Sequence, residues 1–274
     1  MRFCCLLALL LVYKTTKPQS VSTLMGARSA GIGYASSTLS DEWPLLNNPA
    51  GLSKIEYKTC GFAYALNPSL PGADRLAAVI NVPVKLGVIG AGVFKFGDEL
   101  YSEQIISAGY ANQLGLASLG VKINYIQYRA DAFGTKSVVS INFGGIAEIT
   151  PLISIGAYII NINQPKLASV DEERLPVKLV SGVQFNPSDE LLLVLEIEKD
   201  ISYDPTIKSG IEYVIHQKIK VRTGFNLGPN SIHGGVGYYS SKLNVDYALL
   251  YNPAIKTQFQ VSAGYKLGKS KKRE

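Results

Sequence analysis

The side chains with chemical potential are few and badly placed for catalysis. The two histidines, His216 and His233, belong to different segments, and the nearest guess at a serine–histidine pair is Ser240 with His233. A nucleophile and its base must sit within hydrogen-bond reach, whereas His233 and Ser240 are expected near opposite ends of one strand. No HExxH, CxxC or GxSxG motif occurs, so the metal-hydrolase, thiol-redox and nucleophile-elbow patterns are absent. The run Asp171, Glu172, Glu173 and Arg174 offers oxygen ligands to a divalent cation, but an acidic loop is ordinarily just solvated. The sequence therefore predicts no catalytic residue, no metal and no cofactor: a protein that is not an enzyme.

A different chemistry is spread along the second half of the chain. Lys178, Glu196, Glu198, Lys208, Glu212, Lys218, Lys220, Arg222, Lys242, Asp246 and Lys266 recur on one face of segments whose other face is apolar. Charges of both signs at alternate positions can pair across a wet or plugged interior, and this pairing is favoured over a selectivity filter.

Strands must carry those charges. In 242–251, Leu243, Val245, Tyr247, Leu249 and Tyr251 alternate with Lys242, Asn244, Asp246 and Ala248; in 257–267, Phe259, Val261, Ala263, Tyr265 and Leu267 alternate with polar or small residues. This period of two marks strands with unlike faces. Fourteen such segments are read at 57–65, 76–84, 86–96, 103–112, 117–128, 136–148, 152–161, 177–185, 190–199, 206–214, 218–226, 232–239, 242–251 and 257–267. Links after even-numbered segments are predicted to be tight and those after odd-numbered ones longer, which is how a barrel with periplasmic turns and external loops reads. In hydrocarbon every backbone amide needs a partner, so the sheet must close. The prediction is an all-β protein, a 14-stranded antiparallel transmembrane β-barrel at 56–268 with outer-membrane lipid around it.

Composition agrees. Of the 274 residues 47% are hydrophobic and 18% charged, which excludes disorder, and past residue 13 no apolar run is long enough for a spanning helix. The net charge of +6 is concentrated at the ends, in Arg2, Lys14, Lys17 and a basic tail at 269–274, so no nucleic-acid surface is implied. Arg2 followed by the apolar stretch Phe3 to Tyr13 has the shape of a cleaved secretory signal over 1–22. Cys4 and Cys5 leave with it, and Cys60 alone cannot form an intramolecular disulfide. Export to the bacterial outer membrane, with both termini periplasmic, is the resulting expectation.

Residues 23–55 break the period of two. Ser40 or Asp41 is positioned to cap a short helix through Leu46, and the run Asn47, Asn48, Pro49, Ala50, Gly51 ends it. Together with the preceding Gly26, Ala27, Arg28, Ala30, Gly31 and Trp43, this stretch resembles the N-terminal signature of the PorV/PorQ family of FadL-like outer-membrane proteins. The resemblance implies a fourteen-stranded barrel whose N-terminal segment folds inward as a short helical plug. It also implies a role in protein secretion across the outer membrane, with secretion-machinery proteins or secreted cargo docking at the rim. The alternative is FadL-like passive transport of a hydrophobic ligand. That alternative predicts an apolar cavity between Trp43, Leu45 and Leu46 and the face of Ile153, Ile155 and Ile159.

Overall fold

The computed structural model describes residues 22–131, 134–167, 174–201 and 203–268. The wall is one closed antiparallel barrel of fourteen strands in sequence order. They are β1 (Lys58–Leu66), β2 (Arg75–Val84), β3 (Gly87–Gly97), β4 (Tyr101–Leu114), β5 (Ala117–Ala130), β6 (Gly134–Thr150), β7 (Ile153–Ile160), β8 (Lys178–Phe185), β9 (Leu191–Asp200), β10 (Thr206–His216), β11 (Ile219–Leu227), β12 (Ser231–Tyr239), β13 (Leu243–Asn252) and β14 (Lys256–Leu267). Closure is made by β1 against β14, in register from Lys58↔Leu267 to Leu66↔Phe259. No edge is left for a stray strand to pair with.

The alternation is obeyed residue by residue. On β13 Leu243, Val245, Tyr247, Leu249 and Tyr251 face outward and exposed, while Asn244, Asp246, Ala248, Leu250 and Asn252 are buried inside. The outward face carries aliphatic residues such as Ile106, Ile123, Leu195 and Val261. Tyr247 and Phe259 stack across β13 and β14 at 6.4 Å between ring centroids. Such a surface is solvated by hydrocarbon rather than water.

The links define two ends. One end, here the turn end, holds 85–86, 115–116, 151–152, 186–190, 217–218 and 240–242; the loop end holds the odd-numbered links. The expected strict alternation of short and long is broken, since 98–100, 228–230 and 253–255 are no longer than 240–242. The reason is that strands absorb loop sequence. Asp98 Oδ1 accepts from the amides of Leu100 and Tyr101 at 2.9 and 3.1 Å, so β4 starts at Tyr101, and β5 and β6 pair as far as Ala130↔Gly134.

Inside the wall lies the segment before β1. Its α-helix, α1, is Ala27–Gly31, and a 3-10 helix, η1, spans Pro49–Lys54. The helix expected from Asp41 to Leu46 is absent. Asp41 Oδ1 instead accepts from the Trp43 amide at 2.9 Å, and a single turn closed by Leu46 N to Trp43 O follows. Nor does the Asn-Pro-Ala-Gly run merely stop a helix. Asn48 Oδ1 accepts from Ala50 N at 3.1 Å and caps η1, with Pro49 in the first position, where its missing N–H is harmless.

The first and last described residues stand at opposite ends. The Ser22 carbonyl accepts from Arg75 at the loop-end start of β2, whereas Gly268 follows β14 at the turn end. The predicted signal before Ser22, most of the Asp171–Arg174 acidic run and the tail at 269–274 lie outside the described residues.

Candidate functional site

The plug is seated on a belt of glycines. Gly61↔Gly264, Gly90↔Gly109, Gly120↔Gly144, Gly156↔Gly182 and Gly210↔Gly224 are direct cross-strand partners around the wall. A Cβ built on these residues would meet plug atoms. At Gly61 and Gly264 it meets Trp43 and Glu42, at Gly109 Leu45, and at Gly120 Ala50 and Pro49. At Gly144 it meets Asn48, at Gly156 and Gly182 Ser37, and at Gly210 and Gly224 Ile32 and Gly33. Wall and plug backbones touch only because no side chain intervenes. Alternation along single strands does not reveal this belt. Its signal is a glycine at an inward position of strands that are otherwise β-branched or aromatic.

The plug motif residues occupy distinct places along that path. Arg28, from α1, meets Glu212 in a two-bond fork, Nε to Oε2 and Nη2 to Oε1, both 2.9 Å, and lies 3.7 Å from Asp41. The Ala27 amide donates to Ser262 Oγ at 2.9 Å, and Gly31 lies against Gly235. Gly26 has φ +101°, and a Cβ there would sit 2.6 Å from the Trp43 ring, so α1 enters through a position open only to glycine. Asn48 Nδ2 donates to the carbonyls of Ser37 and Gly145 at 2.5 and 3.2 Å. Gly51 approaches the Leu39 carbonyl.

The lumen charges pair into two clusters on either side of the plug. Towards the turn end, Arg222 donates to Glu212 Oε2 at 2.6 Å, Asp246 Oδ1 at 2.7 Å and Tyr239 Oη at 2.7 Å, and Lys220 donates to Glu212 Oε1 at 3.1 Å. Towards the loop end, Lys208 reaches Glu196 at 3.0 Å and Glu198 at 2.6 Å, and Lys178 lies 3.7 Å from Glu198. Glu196 also accepts from Ser37 N at 2.7 Å, tying this cluster to the plug. Lys266 stands apart, over the Tyr57 ring, and Lys218 and Lys242, expected on the same face, are instead exposed in turn-end links.

Glu42, in the plug, is an acid without a cation partner among the described residues. It accepts from Asn244 Nδ2 at 2.6 Å, and burial, then the neighbouring Asp41 carboxylate, raises its pKa to about 7. The folded protein therefore holds a proton that the unfolded chain releases near pH 4.5, and stability falls as pH rises through that interval. Glu42→Gln is expected to melt higher than the parent at pH 8, by on the order of 2–3 kcal/mol at most. The gain should vanish by pH 4; Trp43 fluorescence during heating in detergent reads both.

The apolar part of the lumen is on one side. Met25, Trp43, Leu45, Leu46 and Leu52 pack against Val79, Val88, Phe94, Ile105, Ile126, Val138 and Leu175. Leu175 comes from the described part of the β7–β8 link, where Leu175 N donates to Pro165 O and Asn161 Nδ2 to Pro176 O, both at 3.0 Å. The expected apolar face of Ile153, Ile155 and Ile159 is not part of the lumen. Gly156 and Tyr158 are the buried, inward residues of β7, so by alternation Ile155 points to lipid.

Cavities lie on both sides of the plug. One of about 50 Å³ at the loop end is lined by residues including Ile105, Ile126, Tyr158, Asn161 and Leu175. Two of about 350 Å³ open at the turn end among Arg28, Lys54, Glu148, Gln184, Glu212 and Lys220.

The two histidines stand at opposite ends of the barrel, His216 at the end of β10 and His233 near the start of β12. His233 contacts Ala30 O through Nδ1 and Ser231 Oγ through Nε2, each at 2.8 Å, so its ring holds α1. Ser240 lies past the far end of β12. Among the described residues no group of His, Cys, Asp and Glu is arranged to hold a metal.

A closed fourteen-stranded wall with an apolar outside and an internal N-terminal plug defines an outer-membrane-type β-barrel of FadL-like fold. Its fold is shared by the CymD monoaromatic hydrocarbon channel, at TM-score 0.71 and 12% identity, covering 90% of this chain and 99% of that one. It is also shared by the Ralstonia pickettii toluene transporter TbuX, at TM-score 0.68 and 13% identity (90% and 99% covered). A Pseudomonas aeruginosa FadL homologue superposes at TM-score 0.62 and 12% identity (92% and 99% covered). No protein-family model matches the chain, and no curated protein does. The FadL-like part of the sequence resemblance is thus supported by the fold; its PorV/PorQ part is not.

Proposed function

We propose that this chain is an outer-membrane channel for hydrophobic small molecules, non-enzymatic, with its plug as the barrier between two chambers. The carrying observation is the apolar half of the lumen, where plug residues Met25, Trp43 and Leu45 meet Phe94, Ile105, Ile126 and Leu175. Apolar side chains facing inward are costly in a water-filled pore and useful where the solute is itself apolar. Fold likeness to hydrocarbon channels and a toluene transporter supports the same reading. It takes precedence over partner docking in secretion, for which neither the lumen nor the comparisons supply an argument. The loop end faces the exterior in this reading, with the polar turn-end chambers opening to the periplasm.

The test is uptake by whole cells. A strain lacking the gene is expected to take up labelled toluene several-fold more slowly than its parent, with hydrophilic solutes unaffected. Unchanged toluene uptake together with loss of secreted proteins would transfer the function to secretion.

A further inference from the structure

We propose that the loop-end cavity binds the head of a neutral amphiphile, a small apolar molecule carrying one hydrogen-bond-accepting oxygen, as in a phenol. The inference rests on the transport reading above and narrows its ligand.

Its foundation is a set of donors without acceptors. Tyr158 is 2% exposed, lines the cavity, and its hydroxyl has no hydrogen-bond partner. Asn124 and Asn142 line the same cavity. Their carbonyl oxygens are engaged, by Ser107 Oγ at 2.8 Å in one case and by Ser140 Oγ and Asn161 N in the other. Their Nδ2 groups donate to no acceptor among the described residues, so the cavity presents donors. A buried donor left unmatched costs about as much as a lost hydrogen bond. An incoming acceptor oxygen removes that cost, and a bare hydrocarbon does not.

Charge in the wall argues against an anionic head. Lys178 and Glu198 both line the cavity and lie 3.7 Å apart, so they add no net charge, and the Glu198 carboxylate repels an anion. Lys122 is buried and without an ion-pair partner among the described residues. It lies one step further along β5, outside the cavity wall. Beside the donors stand Ile105 and Ile126, a cross-strand pair next to Asn124, and Leu175, a surface for an apolar body. At about 50 Å³ the cavity accepts the head group. A ring behind it requires Ser22, Thr23 and Leu24, which close one side, to yield.

Calorimetric titration of the full-length barrel in detergent with phenol, toluene and benzoate tests this. Phenol is expected to bind about three- to tenfold more tightly than toluene, the worth of one neutral hydrogen bond, and benzoate most weakly. Tyr158→Phe should reduce the advantage of phenol while leaving toluene unchanged, which also shows that the variant is folded. Toluene binding as tightly as phenol, indifferent to Tyr158→Phe, would overturn the polar-head inference and leave the transport reading standing. Benzoate binding best would overturn the neutral class. Silence from all three probes, joined to unchanged cellular uptake of toluene, would remove both readings.

Discussion

Arg222→Met is expected to destabilise the barrel by about 3–5 kcal/mol, the cost of breaking a buried ion pair on one side. The Arg222 side chain is fully buried, and its three donors serve Glu212, Asp246 and Tyr239. Glu212 retains Arg28 and Lys220 after the change, so its charge stays compensated. Asp246 does not: its remaining partner is the Tyr239 hydroxyl at 2.9 Å. A carboxylate is then buried with one neutral hydrogen bond, and that uncompensated charge is the origin of the loss. Arg222→Lys should fall between, because an ammonium keeps the charge but cannot make the fork. The temperature at which the heat-modifiable gel band shifts measures both variants. A shift for Arg222→Met no larger than that of an exposed control, such as Lys218→Met, would show that the cluster does not hold the wall together.

The second large effect is on the plug. Gly210→Val places a Cβ 2.5 Å from the Ile32 carbonyl oxygen and 2.6 Å from the Ile32 Cβ. Both lie in a plug segment whose backbone already touches Gly224 on the neighbouring strand, so retreat is blocked. Overpacking ordinarily costs about 1–3 kcal/mol, and more where backbone must move; here the expectation is at least the upper figure. Because β10 remains paired on both sides, the strain should appear as release of the 23–55 segment rather than loss of the barrel. Limited proteolysis is expected to cut between residues 23 and 55 in Gly210→Val while the wall resists. Gly234→Ala is the matched control: a Cβ there meets nothing within 4 Å, and its digestion pattern should equal that of the parent. If Gly210→Val is digested no faster than Gly234→Ala, the glycine belt is not what seats the plug.

These two expectations differ in how much of them was visible beforehand. That Arg222, Glu212 and Asp246 face the lumen follows from alternation alone, since each sits one residue from an apolar outward neighbour. Which of them pair does not. Glu212↔Arg222 is a register fact between β10 and β11, and the Arg28 contact comes from a segment 184 residues away. Likewise each glycine of the belt is ordinary in its own strand. Only the cross-strand partnerships, and the plug lying over them, give the set its meaning.

By itself the sequence determined the number of strands, their positions to within a few residues, which side of the C-terminal strands meets lipid, and that an aperiodic segment precedes them. Alternation is a local property: a side chain at i and its neighbour at i+1 leave a strand on opposite faces whatever lies beyond. The tertiary structure alone decided the course of the plug, the choice of Ala27–Gly31 and Pro49–Lys54 over Asp41–Leu46 as its helices, and the apolar side of the lumen. Short helices have little intrinsic stability. Their places are set by wall donors and acceptors such as Ser262, Gly145 and His233, which reach the plug only once the fourteenth strand has closed on the first.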